Sequence, residues 1–409
     1  MTSPPREPDN REPDNRELDI VIFGATGFTG SLVAAYLAAH APAGTRWALA
    51  GRDAGRLAAL RDRLGVDVPV HTADVTDPAT LRRLADRTRV VATTVGPYVR
   101  YGEPLVAACA EAGTDYLDLT GEPEFVDLTY LRHHATAERT GARLVHACGF
   151  DSVPYDLGAQ FTVEQLPEGV PIRLRGYLSG KGVPSGGTFD SAVTSLARFR
   201  QAAAVHRERR TVERGTAERR DPDRRVRGIP SRPGYERAVG AWVFPLPTID
   251  PQIVLRSVRA LDRYGPDFSY SHYGSTGNPF LVAGLAAGWA GAFALAQLPP
   301  TRRALLRLRP AGAGPAAEQR AKSWFTVRFL ADSRADSGGE RHVATEVAGG
   351  DPGYDETAKM LAEAALCLAT EPLPETAGQV TTAMAMGPAL RTRLEKAGIS
   401  FRVLDQRPA

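Results

Sequence analysis

Cysteine is scarce in this sequence. Cys109, Cys148 and Cys367 are the 3 cysteines among 409 residues, and they are far apart with no CxxC spacing. We therefore expect neither a disulfide framework nor a bound metal. The first apolar run begins only near Ile20, so no signal peptide is expected either. Together these absences predict a protein of a reducing, cytoplasmic compartment.

An excess of one charge is also absent. The sequence has 50 basic and 47 acidic residues, which gives a formal net charge of +3. This near balance gives no general attraction to nucleic acid, and we expect no nucleic-acid partner. The most arginine-rich stretch, residues 206–237, has carboxylates interleaved throughout. It therefore predicts a solvated helix and loop.

Residues 1–17 contain almost no apolar side chains. The pentad REPDN occurs twice in tandem, at residues 6–10 and 11–15. A polar, proline-rich segment cannot bury enough surface to offset the entropy of ordering. We expect a disordered tail, followed by folded structure from residue 18.

Short apolar runs and amphipathic runs alternate over residues 18–150. This alternation predicts a doubly wound parallel sheet of the Rossmann type. Later runs such as IRLRGYLS and SWFTVRFLA are longer and partly alternating, so residues 151–350 predict a second, mixed α/β (α+β) substrate domain. Residues 351–409 predict a helical segment that packs back on the first domain.

The strongest motif lies between the first strand and the first helix. It has the spacing GxxGxxG, formed by Gly24, Gly27 and Gly30 with Thr26 and Phe28 between them. The glycines allow a tight turn, close approach of a pyrophosphate and close helix–strand packing. The helix N-terminus adds free N–H groups, so the motif predicts a dinucleotide site.

The tip of the second strand predicts which nucleotide binds. Arg52 stands where an NAD site places a carboxylate, and a guanidinium suits the 2′-phosphate of NADP(H). Arg56 can add charge, although Asp53 follows directly. Asp74 and Val75 follow the third strand and either face the adenine or form a capped turn.

The fourth strand is followed by Gly96-Pro97-Tyr98 at the carboxyl edge of the sheet, where the nicotinamide should lie. Gly96 and Pro97 permit close approach of the cofactor. Tyr98 either orients or protonates the substrate, or packs at the domain interface. Both alternatives remain open from the sequence.

Two further loops carry candidate catalytic residues. Asp151 and Ser152 follow the last strand of the first domain and either contact the substrate or cap the next helix. Thr188 ends the segment SGGT, which predicts either an anion or carbonyl site at a helix N-terminus or a capped turn.

The segment 279–298 is apolar and uncharged, and about 20 such residues suffice to span a bilayer. Its many alanines and glycines make it weakly hydrophobic. It predicts a buried or homodimer-interface helix, a helix in contact with a membrane surface or a lipid-like substrate, or a membrane span.

The combined motifs resemble the saccharopine dehydrogenase-like oxidoreductases, in particular their trans-acting enoyl reductase branch. The matching segments are DIVIFGATGFTG, LAGRD, TTVGPYVRYGEPLVAACAEAGTDYLDLTGE, CGFDSVPYDLG, SGGT, AKSWFTV and GGDPGYDETAKMLAEAA. The resemblance implies NADPH as cofactor and reduction of an enoyl double bond on a carrier-bound polyketide or lipid chain. It also implies membrane association. It identifies no proton donor.

Two alternatives to enoyl reduction remain from the sequence. A saccharopine-type enzyme would act on a C=N bond between an amino acid and a keto acid, and would need basic residues such as Arg173, Arg175 and Lys181 for the carboxylates. A non-catalytic sensor or scaffold would bind NADP(H) without oxidising it.

Overall fold

The computed structural model describes residues 16–182, 186–217, 223–308, 314–335 and 339–408. The repeated pentads of the expected tail lie outside these residues. The strands are β1 (Leu18–Phe23), β2 (Trp47–Gly51), β3 (Val70–Thr72), β4 (Thr88–Thr93), β5 (Asp115–Asp118), β6 (Arg143–Val145), β7 (Ile172–Lys181), β8 (Arg225–Gly228), β9 (Gly234–Glu236), β10 (Ala241–Pro245), β11 (Asp267–Thr276), β12 (Trp324–Ala335), β13 (Gly339–Gly349), β14 (Gly378–Val380) and β15 (Ser400–Pro408).

The helices cover both sheets and connect them. They are α1 (Phe28–His40), α2 (Ala54–Leu64), α3 (Pro78–Asp86), α4 (Tyr98–Tyr101), α5 (Glu103–Ala112), α6 (Pro123–Thr140), α7 (Val153–Glu164), α8 (Gly186–Ala197), α9 (Phe199–Ala217), α10 (Asp250–Ala260), α11 (Pro279–Gln297), α12 (Pro299–Leu308), α13 (Ala317–Arg320), α14 (Asp355–Thr370), α15 (Thr382–Ala385) and α16 (Gly387–Lys396). A 3₁₀ turn follows α10 at Asp262–Tyr264.

The first sheet is parallel and has the strand order β14-β6-β5-β4-β1-β2-β3. Strand β1 is central because its apolar residues face helices on both sides of the sheet; Ile20, Val21 and Ile22 are fully buried. The strands stay parallel throughout, but the order in which they are added to the sheet reverses between β1 and β4, which is the Rossmann arrangement. The predicted doubly wound sheet is therefore confirmed.

The seventh strand of this sheet comes from the far end of the chain. Strand β14 pairs in parallel with β6, with Gln379 opposite Leu144. Helix α14 packs against α1 and β4. The expectation of a helical segment over 351–409 is incomplete, because β14 and β15 also lie there. A strand of three residues has too few positions to show a periodicity.

The second sheet is mixed and has eight strands, in the order β15-β13-β12-β7-β11-β10-β9, with β8 paired to β11. Strands β7 and β11 are parallel, with Tyr270 opposite Leu174, whereas β12 and β13 form a long antiparallel pair. The predicted mixed second sheet is confirmed.

One hydrophobic cluster joins the two sheets. It contains Ile20 and Ile22 of the first sheet, Phe325 and Phe329 of the second, and much of α7 and α14 between them. Helix α7 approaches the second sheet closely because Gly158 has no side chain; a Cβ there would lie 2.4 Å from the Phe329 ring. The loop from β6 to α7 is consequently held between both sheets.

The arginine-rich stretch is not only a solvated surface, which corrects the sequence-based expectation. Arg209 of α9 is 2% exposed, and its Nη1 lies 3.2 Å from Oδ1 of Asp127 on α6. His206 Nδ1 lies 2.9 Å from the other carboxylate oxygen, and Arg256 of α10 also binds Asp127. Burial raises the pKa of Asp127, but its bond to His206 and the two guanidinium charges outweigh burial and hold this pKa below its ordinary value.

Most of segment 279–298 forms α11 (Pro279–Gln297), which packs against α8. The Phe293 ring of α11 also contacts the ring of Phe199 in α9, with 5.2 Å between the ring centroids. Its other side is open, with Leu281 48% and Leu298 59% exposed. Within the ranges that the structure describes, no helix is both long and apolar enough to cross a membrane.

The Asp127 contacts predict a large effect on stability. In Asp127→Asn, Arg256 would lose its ion-pair partner and Arg209 would keep only its pair with Glu213 at 2.7 Å, and we expect unfolding to become easier by about 3–5 kcal/mol. The urea midpoint of the purified variant measures this loss. Asp86→Asn is the matched control, because its pair with Arg82 at 2.8 Å is solvent-exposed. That control should lose less than about 1 kcal/mol, and equal losses in the two variants would contradict the assigned role of burial.

Candidate nucleotide and active site

The glycine loop joins β1 to α1 at the carboxyl edge of the first sheet. Gly24 has φ +84°, which side chains disfavour, and its N–H donates to the carbonyl of Ala50 at 2.9 Å. A Cβ at Gly30 would lie 2.2 Å from the Gly24 carbonyl oxygen and 2.8 Å from Oγ1 of Thr94. Gly30 is thus required for close packing of α1 on the loop, as a dinucleotide fold needs.

The start of α1 can bind an anion. Gly27 is the N-cap residue and supplies no side chain to the free N–H groups of the first turn. These groups and the positive end of the helix dipole suit a pyrophosphate. A Cβ at Gly27 would meet only the Gly24 carbonyl, at 3.2 Å, so the other side of this position is open.

Two predicted loop residues bind within the protein. The Thr26 carbonyl accepts a hydrogen bond from Nη2 of Arg56 at 3.3 Å, which links the loop to α2. The Phe28 ring packs edge-on against Tyr354 at 4.9 Å and under Arg320. Phe28 can therefore contribute to a nucleotide site only through its backbone at the start of α1. Its ring instead packs against Tyr354 of the C-terminal region.

The charged residues at the tip of β2, Arg52 and Asp53, have different roles. The Asp53 carboxylate caps α2 and accepts from the Arg56 N–H at 3.0 Å. It is therefore engaged with its own helix. Arg52 is exposed and makes no hydrogen bond to any described residue. The Arg56 guanidinium lies beside the glycine loop, 3.3 Å from the Thr26 carbonyl, and guanidinium groups at this strand tip suit a phosphate.

Asp74 serves a turn. Its Oδ1 accepts from the N–H of Thr76 at 2.8 Å and from its hydroxyl at 2.7 Å. These bonds, with the nearby charge of Arg52, lower the pKa of Asp74. Val75 packs on the core of the first domain. The geometry thus favours the capped-turn alternative over direct contact of the Asp74 carboxylate with adenine.

A buried glutamate that sequence reasoning missed accepts hydrogen bonds from the loop after β4 and fixes its position. The Gly96-Pro97 peptide bond is cis. Glu122 is 2% exposed and accepts from the N–H groups of Tyr98 at 3.0 Å and Val99 at 2.8 Å. Ser191 of α8 donates to the same carboxylate at 2.6 Å. Glu122 therefore fixes the loop after β4 and links α8 to it.

Tyr98 is poorly placed for proton transfer, which corrects one of the two sequence alternatives. Its hydroxyl donates to the Thr93 carbonyl at 3.2 Å and accepts from the Leu119 N–H at 3.1 Å. The side chain is buried, and burial with the charge of Asp118 raises its pKa well above the ordinary value. Tyr98 packs in the hydrophobic core and links the end of β4 to the loop that begins at Leu119.

Asp151 is the carboxyl group at this edge that no neighbour neutralises. It follows β6, and a Cβ on Gly121 would lie 3.3 Å from its Oδ2. Its side chain makes no hydrogen bond within the described residues, and burial raises its pKa to about 6. Ser152 caps nothing through its side chain; its hydroxyl donates to the Asp151 carbonyl at 2.6 Å. Thr188 belongs to α8, but its side chain lies outside the described part of the chain.

Asp250 and His272 also lie near this edge and were not predicted. Asp250 begins α10 directly before Pro251, so the sequence presents it as an ordinary helix-start residue. His272 lies in β11 among alternating residues. Only the fold brings these two residues together, with Oδ2 of Asp250 3.5 Å from Nε2 of His272, and no spacing in the sequence signals it.

The class of protein follows from the sheet, the glycine loop and the comparison with family models. Residues 20–145 match the family described as saccharopine dehydrogenase NADP binding domain. The protein is an NADP-dependent oxidoreductase. The same fold occurs in apo saccharopine dehydrogenase (L-Glu forming) from Saccharomyces cerevisiae, with a TM-score of 0.53, 13% identity, and 95% of this chain and 99% of that chain covered.

Relatives over nearly the whole chain define the family more closely. A Mycobacterium tuberculosis protein provisionally named a trans-acting enoyl reductase is 40% identical, covering 98% of this chain and 99% of the relative. Trans-acting enoyl reductases of Mycobacterium bovis and Mycobacterium ulcerans are 38% and 36% identical, each covering 93% of this chain and 96% of the relative. The chain belongs to the trans-acting enoyl reductase branch of the saccharopine dehydrogenase-like oxidoreductases.

The glycine contacts predict that Gly30→Ala disrupts the nucleotide loop. The added methyl group would collide with backbone, so we expect at least a tenfold weaker affinity for NADPH and a stability loss of about 1–3 kcal/mol. Fluorescence titration and urea unfolding measure the two effects. Gly284→Ala is the control, since a Cβ there meets nothing within 4 Å. It should leave NADPH binding unchanged, and a wild-type affinity in Gly30→Ala would refute the assignment.

The charges at the tip of β2 predict the choice of nucleotide. We expect Arg52→Ala to weaken NADPH binding about tenfold, because a charged hydrogen bond to the 2′-phosphate is lost, and to leave NADH binding unchanged. Paired titrations with both nucleotides check this. Arg63→Ala, at the far end of the same helix α2 as Arg56, is the control and should change neither affinity. Equal weakening of both nucleotides would show that Arg52 acts on the fold and not on the phosphate.

Proposed function

We propose that the protein reduces the enoyl C=C bond of a polyketide- or lipid-type acyl thioester with NADPH. The observation that carries this proposal is the match to relatives named trans-acting enoyl reductase over 93–98% of the chain. The acyl group would be carrier-bound, as a trans-acting reductase of an assembly line requires. NADPH, when bound, supplies the hydride for the β-carbon.

The chain's own residues supply position and a proton. The N–H groups at the start of α1 would hold the pyrophosphate, and Arg52 with Arg56 would hold the 2′-phosphate. Gly96 and Pro97, fixed from below by Glu122, leave room for the reacting end of the cofactor at the sheet edge. Asp151 is our candidate donor of the proton to the α-carbon, because its side chain is free of protein partners and its raised pKa keeps much of it protonated near pH 6.

A specific observation weakens the C=N alternative. A saccharopine-type substrate carries several carboxylates and needs unpaired cations in the second domain. Arg175 is already bound to Asp332 at 3.0 Å and to Glu236 at 3.5 Å. Arg173 and Lys181 are exposed. None of these three residues is therefore a buried, unpaired cation that could bind a substrate carboxylate.

The exposed side of α11 is our candidate for contact with a membrane surface or with the acyl chain. Phe280 is 84% exposed, and Leu281, Leu295 and Leu298 are also exposed. Arg303 of the next helix is exposed beside this apolar surface. Such a surface suits lipid contact or a second copy of the chain, and both remain proposals.

Enoyl thioesters of a simple carrier test the function directly. With purified protein, NADPH and medium- to long-chain trans-2-enoyl thioesters, we expect NADPH absorbance to fall and the saturated thioester to appear by mass spectrometry. Saturated thioesters of equal length are the blank, and amino acid–keto acid pairs test the C=N alternative. Tight NADPH binding without oxidation across the enoyl series would oppose the proposal and favour a binding role.

A further inference from the structure

The segment that precedes β12 lies on the glycine loop. A Cβ at Gly314 would come within 2.3 Å of the Phe28 ring, so the backbone of this segment is in contact with the ring. Arg320 of α13 lies over the same ring, with its Cζ 5.7 Å from the ring centroid. Phe28 is the first residue of α1 and directly follows Gly27. A segment that leads into the second sheet therefore contacts the first turn of the helix that the glycine loop begins.

Two neighbours hold Arg320 in this position. Its Nε donates to both oxygens of the Asp355 carboxylate, at 2.9 and 3.0 Å, and its Nη1 donates to the Pro315 carbonyl at 2.9 Å. The Arg320 side chain is 14% exposed. Because the guanidinium is paired with a carboxylate, it offers little net charge to a phosphate. Its position instead suits a cation–π contact that holds the Phe28 ring.

A second segment also holds the Phe28 ring. The Tyr354 ring packs edge-on against it, with 4.9 Å between the ring centroids, and Tyr354 is 2% exposed. The Tyr354 N–H donates to the Asp351 carboxylate at 2.9 Å, which fixes the residue at the start of α14. Since an edge-on pair of rings has a preferred geometry, the orientation of Phe28 depends on these contacts.

The two segments join the second sheet at one of its ends. Strands β12 and β13 are antiparallel, and Phe325 near the start of β12 lies opposite Gly349 at the end of β13. The segment with Arg320 precedes β12, and the segment with Tyr354 follows β13. The Phe325 ring also packs against Phe150, in the loop between β6 and α7, at 4.9 Å. One end of a single strand pair therefore contacts both the glycine loop and the loop that carries the candidate proton donor.

The glycine loop needs such an anchor. Gly24, Gly27 and Gly30 give its backbone more conformational freedom than other residues would. Phe28 has the one large side chain between Gly24 and Gly30. The anion site consists of main-chain N–H groups at the start of α1, so its affinity depends on how well the backbone is held. A loop that is already rigid in its binding conformation loses less entropy when the ligand binds.

We infer that Arg320 is a positioning residue for the cofactor, which holds the Phe28 ring and thereby fixes the N–H groups of α1 that would bind the pyrophosphate. This inference rests on the nucleotide site of the proposed function. It assigns part of the dinucleotide affinity to a residue outside 20–145, the region that matches the NADP-binding family. Because both nucleotides contain the pyrophosphate, Arg320 should act equally on NADPH and NADH, in contrast to Arg52.

Paired titrations of Arg320→Gln with NADPH and NADH test this role. We expect both affinities to weaken about fivefold, which is the scale of one lost cation–π contact. Arg334→Gln is the matched control, because Arg334 lies at the far end of β12 and is 81% exposed. It should change neither affinity. A loss for NADPH alone in Arg320→Gln would overturn the inference, since it would place Arg320 at the 2′-phosphate.

A double-mutant cycle shows whether Arg320 acts through the Phe28 ring. Phe28→Leu should also weaken both nucleotides, by about fivefold. If the ring carries the effect, the double variant should bind about as weakly as Phe28→Leu alone, whereas independent effects would multiply to about 25-fold. The multiplied loss would overturn the inference. A lower urea midpoint of Arg320→Gln with both affinities at the wild-type value would overturn it too, because it would show a role in stability alone.

A further variant decides the matter if Arg320→Gln does not fold. Gly314→Ala leaves Arg320 in place, but its methyl group would collide with the Phe28 ring, and both nucleotides should bind more weakly. Gly284→Ala is again the control, and wild-type affinities in Gly314→Ala would overturn the inference. If wild type binds NADPH but oxidises none with any enoyl thioester, the proposed reduction fails, and the affinities still decide the role of Arg320. If wild type binds neither nucleotide, both fail.

Discussion

The attachment of the two sheets to each other depends on the charge cluster around Asp127. One carboxylate on α6 binds groups from α9 and α10, and Arg209 also donates to Gln379 of β14 at 2.6 Å. Four chain segments far apart in sequence thus meet at one desolvated anion. Because removal of one buried partner leaves the others uncompensated, such a cluster fixes a single relative position of its elements. The nucleotide edge keeps its shape only if that position is kept.

The relative position of these elements also determines which side chains lie near the proposed nicotinamide site. Helix α7 begins directly after β6 and packs through Gly158 on Phe329 of the second sheet. Asp156 of this helix accepts from Ser257 at 2.5 Å and Thr382 at 2.7 Å, so α10 and the C-terminal region are tied to it. Since α10 starts at Asp250, this packing also fixes the position of Asp250. The composition of the site is therefore a consequence of helix packing.

Sequence reasoning reached the parts of the structure that are set by local contacts. The parallel sheet follows from alternating apolar and amphipathic runs, and the turn at Gly24 and the packing at Gly30 follow from the absence of a Cβ. It could not separate the alternatives for Tyr98 and Asp74, because both depend on which backbone groups lie opposite their side chains. Arg209 was assigned to solvent because its neighbours in sequence are charged, whereas its partner Asp127 is 82 residues away. Asp250 and His272 gave no signal for the same reason.

Burial acts on both Asp127 and Asp250, with opposite results. Desolvation raises the pKa of each carboxyl group, but at Asp127 one histidine and two arginines outweigh it, and the group stays ionised. At Asp250 the facing imidazole is neutral and the charge of Asp151 disfavours ionisation, so repulsion adds to desolvation. A buried carboxylate that is paired with cations can stabilise one arrangement of the fold, but it is ionised and cannot donate a proton. A carboxyl group buried without cations binds its proton more tightly in the folded protein than in the unfolded chain, so it destabilises the fold as the pH rises toward its raised pKa.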